Sequence, residues 1–284
     1  MTKIFKTLAA CALLAFLPAR AQETEVLRPV YAAYTVEAGS AHVAETYLSP
    51  LRYSGWDIAL GYERMQAMRF NPDKWIMKLA GHLDYAQTKN NPARNATIDN
   101  MELRLSWSMM HRFRFSGGWS VYAGSATSAR VGMLYAPRNS NNPVAAKAAW
   151  TVDAAAMATY NGKIGRIPFC ARYDVSMPLT GIFFSPSYGE LYYEIYLGNR
   201  SGLVRGAWPG NYFRLDNCLS IDLCFGATAL KLGYRFDIAS SKASGIVTRN
   251  IRHMAIAGVS GEWISLSPNR SAQLEKARVI SAIY

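Results

Sequence analysis

Residues 101–109 read Met101-Glu102-Leu103-Arg104-Leu105-Ser106-Trp107-Ser108-Met109. Every odd position is large and apolar, and every even one is charged or a serine. A period of two puts successive side chains on opposite faces of an extended chain, so the stretch is a strand with one greasy and one polar face. A helix would scatter both sets around its circumference. The same design recurs on either side. Trp56, Ile58, Leu60 and Tyr62 alternate with Asp57, Ala59, Gly61 and Glu63, and Trp75, Met77, Leu79, Leu83 and Tyr85 oppose Lys78, Ala80, His82 and Asp84. Further on, Phe169, Ala171, Tyr173 and Val175 oppose Cys170, Arg172, Asp174 and Ser176. Leu219, Ile221, Leu223 and Phe225 oppose Ser220, Asp222, Cys224 and Gly226, and Leu230, Leu232, Tyr234, Phe236 and Ile238 oppose Lys231, Gly233, Arg235 and Asp237.

Segments rich in Asn, Pro, Gly and Ser separate these runs, at residues 69–73, 87–97, 116–118, 136–143, 161–168 and 240–245, as turn chemistry requires. Alternation alone also fits a soluble β-sandwich or a lipocalin-like barrel. Three features favour a membrane-spanning barrel. The runs are long compared with the ~5–6 residues of a globular strand. Aromatic residues stand near the ends of the apolar face (Trp56/Tyr62, Trp75/Tyr85, Trp119), as in the girdles that flank a lipid-facing band. The opposite face is small and charged, as a wet or plugged lumen requires.

Composition agrees. Half of the 284 residues are apolar and only 18% are charged, yet the apolar residues are dispersed. After the leader no stretch reaches the ~18 uncharged apolar residues of a membrane helix. Abundant aromatics exclude intrinsic disorder. The leader is residues 1–21: Lys3 and Lys6 form a positive start, an apolar run follows to Pro18, and Ala19-Arg20-Ala21 is a small-x-small cleavage site, which leaves Gln22 first. Leu8-Ala9-Ala10-Cys11 resembles a lipoprotein box, but the apolar run continues past Cys11. Loss of Lys3, Lys6 and Arg20 lowers the net charge of +12 to +9. The expected organisation is a signal peptide over 1–21 and one barrel over 22–284. Cys170, Cys218 and Cys224 then remain, with no zinc or redox spacing, and read as small packing residues.

Residues 39–42 (GSAH), 46–56 (TYLSPLRYSGW), 187–193 (SYGELYY) and 233–237 (GYRFD) resemble signatures of an outer-membrane β-barrel family of Bacteroidota, a domain of unknown function. The resemblance runs over most of the chain after the leader. It implies location and fold and carries no site residues.

The expected fold is all-β, an antiparallel transmembrane barrel in the bacterial outer membrane. Strands starting near Tyr31, Trp56, Trp75, Ile98, Trp119, Ala146, Phe169, Glu190, Tyr212, Leu230 and Ile251, with one more within 262–284, give about twelve. Tyr284 as a terminal aromatic resembles an assembly signal. If residues 190–197 belong to a long external loop, ten strands remain and the tail after residue 268 is left over.

Parity assigns to the lumen the acids Asp57, Glu63, Asp84, Glu102, Asp153, Asp174, Asp222 and Asp237, and the bases Lys78, Arg104, Arg172, Lys231 and Arg235, with His82 among them. Mixed signs in a narrow lumen suit a paired network, and a small-solute or lipid pathway is the alternative. Lys78, Asp84, Glu102 and Arg104 lie on neighbouring strands, which suggests opposite charges across one hairpin. The expected function is a structural, interaction or narrow-channel barrel with no catalytic residues, metal or cofactor. No phosphate-cradling glycine loop, HExxH, paired CxxC or GxSxG is present. The runner-up is a lipid hydrolase with a Ser/His pair at the rim, for which His42 with Ser185 or Ser187 is the candidate. The expected partners are outer-membrane lipid and lipopolysaccharide, whose phosphates Arg52, Lys89, Arg94, Arg138 and Lys147 would meet, and the barrel-assembly machinery. The positive charge of an exported barrel is no argument for nucleic acid, and nothing points to a particular cargo.

Overall fold

A computed structural model describes residues 26–140, 142–264 and 277–284. The expected signal peptide lies outside them. Ten strands make the barrel: β1 (Val30–Glu45), β2 (Arg52–Ala67), β3 (Trp75–Asn90), β4 (Thr97–Arg114), β5 (Trp119–Tyr135), β6 (Val144–Ile164), β7 (Ile167–Phe184), β8 (Tyr212–Phe225), β9 (Thr228–Ala243) and β10 (Ile246–Trp263). Each pairs antiparallel with its neighbours in sequence, and β10 pairs with β1 from Thr248↔Glu45 to Trp263↔Val30. The sheet therefore closes on itself and leaves no open edge.

Among the described residues the ring closes with ten strands, the alternative count, rather than twelve. The strand expected at Glu190 is absent: Tyr192–Tyr196 is a short helix inside the long β7–β8 connection, where a four-residue strand, Val204–Ala207, also adds to β7. Glu194 bonds back to the Leu191 amide at 3.2 Å and closes the first helical turn. The described tail adds no barrel strand either. Arg278–Val279 pairs in parallel with Val26–Leu27 as a small separate unit, and Ile280–Tyr284 is not a strand. Two-residue turns at 165–166 and 226–227 mark one end of the barrel, and the connection over 185–211 marks the other.

The interior is layered. At the short-turn end Tyr31, Met65, Ile76, Met110, Tyr122, Met157 and Cys170 form an apolar cluster. At the long-loop end Val43, Leu48, Tyr53, Ile98, Leu134 and Ala145 form another. Between them the inward positions are mostly ionised or hydroxylated. Close strand approach depends on small residues: a Cβ on Gly39, in β1, would stand 1.8 Å from the His253 carbonyl oxygen of β10. Gly39→Val is expected to cost roughly 1–3 kcal/mol of stability, read as an earlier loss of the folded band when samples are heated before electrophoresis.

The outer face is apolar. Val36 (63% exposed), Leu60 (59%), Leu103 (44%), Val131 (62%), Trp150 (51%) and Val259 (59%) stand on it. Aromatic contacts border this belt at both ends: Trp56 with Tyr85 at 5.5 Å toward the long loops, and Trp119 with Tyr160 at 4.9 Å toward the short turns. On β3 Trp75 and Tyr85 bracket a rise of about 33 Å along the strand, or ~25 Å of height at the usual tilt.

Candidate functional site: the ionic layer of the lumen

All ten strands contribute a charged side chain to the middle of the barrel. At the centre Arg104 grips Asp84, with Nε to Oδ2 and Nη2 to Oδ1 both 2.9 Å, and donates to Asp237 at 2.8 Å. Arg235 reaches Glu37 at 2.6 Å and Asp84 at 2.8 Å, and also bonds to Asp237. Arg252 joins Asp57 at 3.2 Å, Asp84 at 3.2 Å and Glu102 at 3.0 Å. His82 Nδ1 lies 3.2 Å from Glu37. Arg104, Arg235, Arg252, Asp57, Asp84 and Glu37 are all buried. Forked guanidiniums suit this arrangement because each serves two or three carboxylates in fixed directions.

Three smaller groups adjoin the centre. Arg172 holds Glu63 at 2.6 Å and Asp174 at 3.0 Å, and Lys78 meets Asp174 at 2.6 Å and Glu63 at 3.5 Å. Arg130 links Glu102 at 3.1 Å to Asp216 at 2.9 Å, and Arg214 carries the chain on from Asp216 to Asp153, both at 2.7 Å. Lys231 stands 3.7 Å from Asp222, which also accepts from Tyr31 at 3.0 Å and Ser260 at 2.8 Å.

Arg104 and Asp84 thus pair across the β3–β4 hairpin, and the other parity-assigned residues find partners elsewhere in the wall. Asp84 lies directly opposite Glu102, so the same hairpin also sets two carboxylates side by side. Arg252, from the far wall, bridges the two carboxylates. Lys78 finds its partners on β2 and β7. Parity reading omitted Glu37, Arg130, Arg214, Asp216 and Arg252. Arg214 and Asp216 share the parity of Asp222 on β8. In β1 and β5, by contrast, the outward residues include several Ala and Ser, so the apolar signal that reveals Glu37 and Arg130 is weak.

A cavity of about 150 Å³ lies beside this layer, lined among others by Glu63, Lys78, His82, Ser106, Arg130 and Asp174. A second, of about 90 Å³, lies toward the long-loop end beside Glu102, Lys147 and Asn250. No cluster of three metal-ligating side chains occurs among the described residues.

The rim reads differently from expectation. His42 faces outward from β1, edge-on to His253 at 6.4 Å. The Ser185 hydroxyl donates to the Pro186 carbonyl at 3.3 Å. No serine–histidine hydrogen bond forms there among the described residues. Lys147 points inward and pairs with Glu45 at 2.5 Å, and Arg138 caps the Asn95 carbonyl at 2.5 Å. Arg52, Lys89 and Arg249 stand exposed on the outer side near the long-loop end. Tyr47, in the β1–β2 turn, bonds to the Glu190 carbonyl at 2.7 Å and meets the Tyr192 ring edge-on at 5.8 Å. Burial, with Tyr192 beside it, pushes the Tyr47 phenol up to about 12.

Residues 6–270 match the family described as "Protein of unknown function (DUF3316)". The chain belongs to this family. No curated protein matches this DUF3316 member. Among solved structures it is similar to the outer membrane protease OmpT of Escherichia coli, at 6% identity over 83% of this chain and 97% of that one, TM-score 0.43. It is also similar to the translocator domain of the autotransporter NalP from Neisseria meningitidis, at 12% identity over 92% and 97%, TM-score 0.38. Neisserial surface protein A gives 13% identity over 82% and 99%, TM-score 0.30. At this level the likeness conveys no activity.

Proposed function

We propose that this DUF3316 chain is an integral outer-membrane β-barrel whose sealed lumen serves a structural or interaction role. The observation that carries the reading is the ionic layer. It draws charges from all ten strands, is largely withdrawn from solvent, and lies between two apolar clusters. A conducting path keeps its charges hydrated. Here the carboxylates are neutralised by forked arginines from other strands, as in a plug.

Membrane placement is supported by the outward belt and its aromatic borders. An exposed apolar surface encircling a protein in this way would drive association in water. No helix among the described residues is long and apolar enough to cross a membrane, and closed strands satisfy every backbone group that lipid cannot. The short turns then face the periplasm and the 185–211 connection faces outward. In that orientation Arg52, Lys89 and Arg249 sit on the outer leaflet side, above Trp56 and Tyr85, where lipopolysaccharide phosphates would be bound by cations. The same reading implies a leader that is cleaved and insertion by the barrel-assembly machinery, and it makes β10, ending outward on Val259 and Trp263, the terminal strand.

The test is electrophoresis and planar-bilayer recording of the purified protein, with a phospholipid hydrolysis assay in parallel. The expected result is a need for detergent, a mobility that shifts on boiling, no steady conductance steps and no lipid turnover. Steady steps would make the barrel a channel, turnover a hydrolase, and free solubility without detergent would refute the membrane assignment.

A further inference from the structure

Ile280–Tyr284 lies against the inside of the barrel at its short-turn end. It belongs to no strand, yet Ile280, Ala282 and Ile283 are 3%, 0% and 1% exposed. Three successive carbonyls of this segment are each taken by an inward side chain from a different strand. Arg112 of β4 donates to Ser281 O at 2.6 Å, Tyr122 of β5 to Ala282 O at 3.1 Å, and Asn161 of β6 to Ile283 O at 2.9 Å. The Ser281 hydroxyl donates to Glu262 of β10 and accepts from the Ile283 and Tyr284 amides at 3.0 and 2.8 Å. The Ile283 side chain enters the cluster of Tyr31, Met65, Ile76 and Cys170. Tyr284 meets Cys224 Sγ of β8 at 3.3 Å.

These donors are preorganised. Arg112 is buried, and its Nε and Nη2 are fixed on the Asp73 and Pro72 carbonyls at 3.0–3.1 Å. That leaves Nη1 aimed at the segment. The ten-strand ring closes without Ile280–Tyr284, and the segment's own polar contacts named here run to wall side chains or stay within the segment. Side chains that read backbone carbonyls, next to a pocket that takes one apolar side chain, are the elements of peptide recognition.

We propose that the short-turn mouth of the barrel is a peptide-binding site and that Ile280–Tyr284 is its resident, displaceable ligand. Its ligand class is a short peptide turned by a hydroxyl residue that accepts from its own following amides, with a branched apolar residue two positions later. The proposal does not depend on whether the ionic layer conducts.

The test uses the chain without residues 280–284, purified in detergent and shown folded by its heat-modifiable mobility, with fluorescein-labelled Ile-Ser-Ala-Ile-Tyr as probe. Saturable binding by fluorescence anisotropy is expected. Binding should weaken at least about tenfold when the second isoleucine of the probe is replaced by aspartate, since that charge would enter an apolar cluster. It should weaken about two- to tenfold in a Tyr122→Phe barrel, which lacks one donor. A folded, truncated barrel that does not bind the probe, or that binds the aspartate probe equally, overturns the proposal. If truncation prevents folding, the full chain with Ile283→Asp, retaining Cys170 as its one cysteine, decides. Detachment should make Cys170, buried in the same cluster, react with maleimide about tenfold faster while the folded mobility is kept. Unchanged labelling, or loss of the folded band, would show the segment to be part of the wall.

Discussion

An Arg252→Ala barrel is expected to lose about 3–5 kcal/mol of stability, the usual consequence of leaving a buried charge without its partner. Asp57 is fully buried, and Arg252 is its only ion-pair partner among the described residues. The same substitution leaves Asp84 and Glu102 adjacent without the cation that bridges them. Arg104→Ala should cost clearly less, because Asp84 keeps Arg235 and Arg252, and Asp237 keeps Arg235. The measurement is the urea midpoint of each variant in lipid vesicles. In a water-filled pathway solvent would screen both losses, so two unchanged midpoints would remove the plug reading. Equal losses would mean that the pairing described at Asp57 carries no particular weight.

Leu103→Arg is expected to destabilise the inserted barrel by ~2–4 kcal/mol, since Leu103 lies on the outer face near the middle of β4 and a guanidinium there would meet hydrocarbon. Ser106→Arg, three residues on and turned inward beside the larger cavity, should leave insertion far less affected. Vesicle insertion yield and unfolding midpoint separate the two. Equal tolerance would place the outer face of β4 in water and remove the membrane assignment.

Most of the architecture was legible because a strand with one apolar face fixes its own register: a one-residue slip would turn Leu103 inward and Arg104 into the belt. Ten of the expected strand starts fall in barrel strands. The eleventh, at Glu190, failed because Leu191, Tyr192, Tyr193, Ile195 and Tyr196 look like a strand by residue type. The helix forms where Tyr192 docks on Tyr47 and donates order to a loop, a tertiary contact that local propensity does not contain. Among the described residues the tail strand expected within 262–284 is missing for a related reason. Tyr284 follows a segment that enters the lumen, and no periodicity distinguishes a luminal peptide from a strand end. In the ionic layer, the hairpin reading contained the Arg104–Asp84 pair and could not supply the partners from further round the wall. Arg252 meets Asp57 and Asp84 only because the ring closes, and the like-charged Asp84–Glu102 neighbours contradict what a lone hairpin would prefer.

That neighbour pair bears on how the barrel comes together. While only β3 and β4 have formed, Arg104 can serve Asp84, but Glu102 beside it lacks a cation. Arg130 of β5 and Arg252 of β10 supply it, and Arg235 of β9 reaches Asp84 across 151 residues of chain. Contacts so distant in sequence form late. The set of arginines is therefore complete only when β10 closes against β1. An unfinished barrel of this chain has carboxylates that lack their cations. The finished one holds those charges paired and buried, and unfolding exposes them to water together.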